Sequence, residues 1–278
     1  MHRKPHRTAA LALLLPAALS ILLSGCRSEA ASAPAETPAA IETAPAETPA
    51  PIEMPAPAES TPPEAPPVHI QTGVREDGSF DAGTLFVGDS LTMGLVREYL
   101  IPNGLIGDAM YAAIGGHAMQ QFFRREIHLN SKTLQKYGCV YSDRFEKLSL
   151  AEAVAEAGGD VTTLYFMMGT NGSTKATVEV YTEMLTYLAD CCPNAVIFME
   201  TVPYCSSGVS KYEFVNANLR EAVENFTAEG HADVYILDTF TAIGEDNNTH
   251  DGLHITESGQ AAWYDALIAN DAALNGVI

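Results

Sequence analysis

The sequence predicts a three-layer α/β/α sandwich built on a five-stranded parallel sheet. Three observations carry this. Short, continuously apolar runs recur along residues 80–278, as in strands buried on both faces. Stretches of helical periodicity separate them, and strand–helix–strand alternation packs as helices on both sides of a parallel sheet. Each of the first strand ends runs into a glycine, the punctuation of a tight turn.

The first run, Leu85-Phe86-Val87 within T-L-F-V-G-D-S-L-T-M-G (Thr84 to Gly94), stops at Gly88 and passes through Asp89 into a helix opened by Ser90. At that position a hydroxyl can face a cleft, and the backbone N–H, unsatisfied by the helix, can stabilise a developing negative charge. Asp-Ser ahead of an apolar run is equally an ordinary N-cap signal. The helix is expected to end near Leu100, before the breaker cluster Ile101-Pro102-Asn103-Gly104. Asp108 to Ile114 is the second strand, followed by Gly115-Gly116. Residues 117–160 exceed what a simple return needs and predict two helices around a basic, aromatic piece, Lys132 to Phe145. Val161 to Met168 is the central strand and ends in Gly169-Thr170-Asn171. A helix from Thr174 to Leu188, with Val178, Tyr181, Leu185 and Leu188 on one face, leads to a fourth strand, Ala195 to Val202. The loop Pro203 to Lys211 leaves the sheet where active-site loops of an open parallel sheet gather, so Tyr204 and Tyr212 are candidates for stacking on a sugar ring, or for packing the loop. A helix from Tyr212 to Ala228, a fifth strand from Asp233 to Leu237 and a helix from Glu257 to Leu274 complete the order.

Asp251 and His254 stand three residues apart just before that last helix, a spacing at which a carboxylate reaches the near ring nitrogen, fixes the tautomer and stabilises an imidazolium. The far nitrogen is then free to take a proton from Ser90. His117, His231 and His250 lack such a partner and read as structural.

With Ser90, Gly116, Asn171 and His254 in this order, and G-D-S-L and D-G-L-H quoted whole, residues 80–278 resemble the SGNH (GDSL-type) hydrolase family. The nucleophile elbow of the α/β-hydrolases is a different signal, since Gly88-Asp89-Ser90-Leu91-Thr92 lacks its second glycine. The resemblance implies a flavodoxin-like fold and a serine esterase working through an acyl-enzyme, with Ser90, Asp251 and His254 catalytic. It implies an oxyanion hole from the Ser90 and Gly116 N–H groups and the Asn171 amide, with Gly115 the alternative to Gly116. Gly172 stands where family members often have Asp. No metal or cofactor is called for. Acetyl esters of carbohydrate are the expected substrate; lipid or thioester cleavage, acetyl transfer, and a non-catalytic glycan-binding role are the alternatives.

The first third of the chain is of another kind. Arg3, Lys4 and Arg7 precede a run of Ala, Leu and Ile that ends in Leu23-Ser24-Gly25-Cys26, so residues 1–25 read as a secretory leader, or as an uncleaved anchor for which the run is barely long enough. The leader's end resembles a bacterial lipobox, which implies a lipid on Cys26 and a domain held at the outer face of the cell membrane. Residues 26–79 form a tether: eleven of the chain's sixteen prolines lie between Arg27 and Pro67, and A-P-A-E-T-P-A occurs at Ala33 and again at Ala44. The proline-rich part, Arg27 to Pro67, reaches on the order of 100 Å and self-repels through its glutamates.

The net charge of −20 divides into about +3 for the leader, −6 for the tether and −17 for the rest, a balance that disfavours nucleic acid. Locally, Arg124, Arg125, Lys132, Lys136, Arg144 and Lys147 concentrate six of the eleven basic residues after position 67, as a solvated surface or an anionic-substrate contact. The four cysteines after Cys26 carry no metal spacing, and Cys191 and Cys205 flank opposite ends of one strand, too far apart to bridge. The expected partners are an acylated carbohydrate or other small ester, and a membrane through the lipid anchor only; a monomer is expected.

Overall fold

The computed structural model describes residues 70–123, 136–231 and 233–275, all within the unit Pro63–Ile278. Residues 1–69, which hold the leader, Cys26 and most of the tether, and Arg124, Arg125 and Lys132 lie outside the described residues; residues 70–79 pack on the domain, where the Thr72 carbonyl accepts from the Tyr165 hydroxyl (2.7 Å) and Val74 bridges to Phe80.

Six strands form one sheet: β1 (Thr84–Gly88), β2 (Met110–Ile114), β3 (Cys139–Tyr141), β4 (Thr163–Met167), β5 (Val196–Glu200) and β6 (Val234–Leu237), in spatial order β3-β2-β1-β4-β5-β6. Five are parallel and coincide with the expected runs; β1 and β4 are buried at every position, which is why their sequences are continuously apolar. The expected five-stranded sheet is corrected by β3, which pairs antiparallel with β2 at the edge (Ile114 opposite Cys139). Its three residues are all half-buried, too short and too even in burial to leave a pattern in the sequence.

The chain leaves β1 toward β2 on one side, while β4, β5 and β6 build out on the other. The carboxyl ends of β1 and β4 therefore flank the point where the winding reverses, the crevice in which open parallel sheets place their ligands. One helical layer holds α2 (Leu150–Ala157), α3 (Val178–Cys191) and α4 (Val209–Ala228). The other holds α5 (Thr239–Ile243), α6 (Glu257–Asn275) and the helix after β1. That last helix is α-helical only over α1 (Ser90–Gly94) and continues as a π-helical segment, Leu95–Leu100, closed by Ile101 N–H donating to the Val96 carbonyl five residues back (3.0 Å). Around the basic piece, the described helical segments are single turns at Met119–Gln121 and Asp143–Phe145, the end of a turn at Lys136 and Tyr137, and α2.

On the α6 face, Tyr165 lies stacked between Phe86 and Phe198 with both centroid separations 5.0 Å, one ring from each of three adjacent strands. Glu200, at the end of β5, is buried on the same side. Its Oε2 accepts from Nε1 of the fully buried Trp263 on α6 (2.6 Å), and burial raises its carboxyl to about 8. Cys139, Cys191, Cys192 and Cys205 are free thiols.

Candidate active site

Ser90 is the first residue of α1, so no preceding turn of its helix uses its N–H. Asp89 caps this helix, with Oδ1 accepting from Leu91 N–H (3.0 Å). Its other oxygen crosses to the end of β4, accepting from the Thr170 hydroxyl (2.5 Å) and Thr170 N–H (3.4 Å). Asp89 is wholly inaccessible; burial raises its carboxyl to about 6, against the lowering by its Thr170 and Leu91 donors. The carboxyl thus ties the loop bearing Ser90 to the loop bearing Asn171. The Asn171 amide donates to Thr170 Oγ1 (3.1 Å), and its second N–H remains for another acceptor. Tyr212 completes the support by donating its hydroxyl to the Thr170 carbonyl (3.4 Å).

Gly115 and Gly116 separate in role. Gly115 donates its N–H to the Gly138 carbonyl (3.0 Å), which commits it to the β2–β3 return. Gly116 takes φ +69°, a left-handed conformation suited to glycine, and turns the chain toward Ala118, which bridges to Asn171 in parallel fashion.

Asp251 and His254 lie in the loop before α6. Asp251 Oδ2 meets His254 Nδ1 at 2.6 Å, while Oδ1 accepts from the backbone N–H groups of Leu253 (2.9 Å) and His254 (3.0 Å) and from the Thr249 hydroxyl (2.8 Å). The hydrogen bond with His254, followed by that from Leu253 N–H, holds the Asp251 carboxyl well below the usual carboxylate range. The paired carboxylate leaves Nε2 of the imidazole as its outward nitrogen. His254 and Ser90 line one cleft of about 340 Å³, shared with Met93, Arg97, Glu98, Lys136, Tyr137, Thr249 and Gln260. Among the described residues no hydrogen bond joins Ser90 Oγ to His254; such contacts are often long before substrate binds.

The two substrate-loop candidates lie elsewhere. Tyr212 is 3% exposed on the inward face of α4, so its ring has no free face for a sugar. Tyr204 packs against Phe240 with centroids 5.6 Å apart and opens on a different cavity, lined with Val209 and Glu213. Their loop instead props the Asp251 loop: Asn248 Nδ2 donates to the Tyr204 carbonyl (2.8 Å), Ser206 N–H to Asn248 Oδ1 (2.8 Å) and Ser207 N–H to the Gly252 carbonyl (3.0 Å). Sequence reasoning overlooked the cleft residues Arg97 and Tyr137. Arg97 falls seven residues after Ser90, a helical spacing that places both on one side of a helix; Tyr137 offers no signal beyond its place in the basic, aromatic piece.

No family model matches the chain, and no curated protein matches it. Among solved structures it is similar to a carbohydrate esterase family 3 protein from Talaromyces cellulolyticus (17% identity over 70% of this chain and 98% of that one, TM-score 0.46). It is likewise similar to a family 3 carbohydrate esterase from Clostridium thermocellum (15%, 69% and 98%, 0.46) and to a lipase/acylhydrolase from Enterococcus faecalis (16%, 68% and 94%, 0.43).

Proposed function

We propose that this chain is an exported serine esterase that hydrolyses short acyl esters, acetyl above all, on carbohydrate. The observation that carries the reading is the 2.6 Å contact of Asp251 with His254, whose ring lines one cleft together with Ser90 at the start of a helix. In this reading Ser90 Oγ attacks the ester carbonyl while His254 Nε2 takes its proton. The oxyanion is held by the N–H groups of Ser90 and Gly116 and by the spare N–H of Asn171, which the Asp89–Thr170 link keeps in place. Collapse breaks the bond to the alcohol, which leaves with the proton from His254, and the acyl group stays on Ser90. Water, deprotonated by the same imidazole, then releases the acid and restores the hydroxyl. Asp251, anionic throughout, stabilises each imidazolium. The sequence supports a lipid on Cys26 as the anchor and the proline-rich segment from Arg27 to Pro67 as a spacer that sets the domain away from the bilayer, toward a polymer.

The test is hydrolysis of p-nitrophenyl acetate and octanoate by the full chain, with acetate release from acetylated glycans. Acetyl preference with acetate release is expected. Octanoyl preference without acetate from any glycan assigns a lipase or thioesterase instead, and no hydrolysis of any ester sinks the enzyme reading.

A further inference from the structure

One side of the cleft is a wall that ester hydrolysis alone does not require. Tyr137 is 47% exposed, yet it is seated on the two glycines: a Cβ added to Gly116 would meet its ring at 2.8 Å, and one added to Gly115 would meet its carbonyl oxygen at 2.5 Å. Lys136 holds its Nζ 4.6 Å from the centroid of the same ring. Arg97 reaches this corner from the π-helical segment, with Nη1 3.9 Å from where a Cβ on Gly138 would sit. Glu98 occupies Arg97 Nη2 (2.5 Å), which leaves the remaining guanidinium donors for another acceptor. Among the described residues Lys136 has no carboxylate partner.

Composition does not account for this corner. The chain carries a net charge of −20, a field that repels anionic polymers. Two cations and a half-exposed tyrosine, with the lysine over its ring, provide a local exception in the cleft that Ser90 lines. The chemistry they fit is a sugar packed against the exposed edge of the tyrosine with a carboxylate turned toward the lysine and arginine.

We propose that Tyr137, Lys136 and Arg97 form a subsite for a carboxylate-bearing sugar, so that the ester substrate is an acidic, uronate-type glycan. The proposal rests on the esterase reading for the fate of the bound ester, and on the wall alone for the binding. With the full-length Ser90→Ala protein, calorimetric titration compares acetylated uronate oligosaccharides with acetylated neutral ones of equal length. At low ionic strength the acidic glycan binds about tenfold more tightly, a preference that shrinks to about two- or threefold in 0.5 M salt because exposed charges are screened. Lys136→Gln and Arg97→Gln, each made in the Ser90→Ala protein, remove most of the preference between them. Lys136→Glu reverses it, and Tyr137→Ala weakens both ligands.

Equal affinity for the two glycans at low salt overturns the proposal, as does a preference untouched by both charge variants. A sulfated neutral oligosaccharide that binds as tightly as the uronate removes the carboxylate assignment. Wild-type hydrolysis of p-nitrophenyl acetate is scored separately: an inactive protein whose Ser90→Ala form keeps the acidic preference refutes the esterase and supports the subsite.

Discussion

Glu200→Gln is expected to make the protein more stable as pH rises. Glu200 is 2% exposed and its carboxyl is raised by burial from 4.5 to about 8, so at neutral pH it keeps its proton and its Oε2 accepts from Trp263 Nε1 as an uncharged oxygen. In the unfolded chain the same carboxyl ionises near 4.5. Between these two values the folded state holds a proton that the unfolded state has lost, so stability falls with rising pH and levels off above about 8. At about 1.4 kcal/mol per pH unit the whole window amounts to at most about 5 kcal/mol, of which about 2 kcal/mol lies between pH 6 and pH 8, since the slope fades as the folded carboxyl begins to ionise. A glutamine keeps an oxygen for Trp263 and never ionises. Urea unfolding of both proteins across this range should give similar stabilities near the low end of the window and a widening advantage for the variant above it. Asp89, raised by burial to about 6, contributes a slope of the same sign at lower pH, which cancels in the difference. If the two stability curves run parallel from pH 6 to 8, Glu200 is either ionised in the folded protein or solvated, and the reasoning fails.

Ser90→Ala, Asp251→Ala and His254→Ala should each lose at least about 10³-fold in kcat against the esters above while melting as the wild type does, because residues acting as a unit are non-additive; a folded Ser90→Ala that turns over near the normal rate excludes the nucleophile. Gly116→Ala should cost about 1–2 kcal/mol, from its φ of +69° and the 2.8 Å approach of the Tyr137 ring, and should also depress kcat, which thermal melts and single-substrate kinetics together measure. Asp89→Ala should lose about 1 kcal/mol of helix capping and lower kcat further than that loss explains, as Thr170 and Asn171 are released; an unchanged kcat in the folded variant would sink the bracing role. Cys26→Ser should move the protein from the detergent phase to the aqueous phase, and equal partitioning of both forms counts against the lipid anchor.

The strands are legible where burial is two-sided, because Leu85 to Val87 and Leu164 to Met167 have no solvent face on which a polar residue could break the run. β3 is not, since a half-buried triplet at an edge satisfies no period. The meeting of Asp251 with His254 is local, set by a three-residue loop, and therefore visible as spacing. The placement of Tyr212 depends on where its helix begins. The sequence suggests a start at Tyr212, which reads as a loop residue; α4 begins at Val209, so Tyr212 lies a turn inside the helix and shares its inward face with Val215 and Leu219. That the Gly115 N–H is spent on the Gly138 carbonyl, a partner more than twenty residues away, is set by tertiary structure that no spacing predicts. Asp89 reads as a simple cap; its second attachment, across the sheet to Thr170, is a tertiary fact.

The edge strand β3 sets a limit on how this scaffold can diversify. It shields the outer side of β2, whose free N–H and C=O groups would otherwise invite another chain, and Tyr137 and Gly138 immediately precede it. A hairpin exchange meant to retune the cleft therefore carries the sheet's border with it. An insert lacking three ladder residues in register with Ala112 to Ile114 would trade a new ligand preference for self-association, so libraries at this position are best screened for monodispersity before turnover.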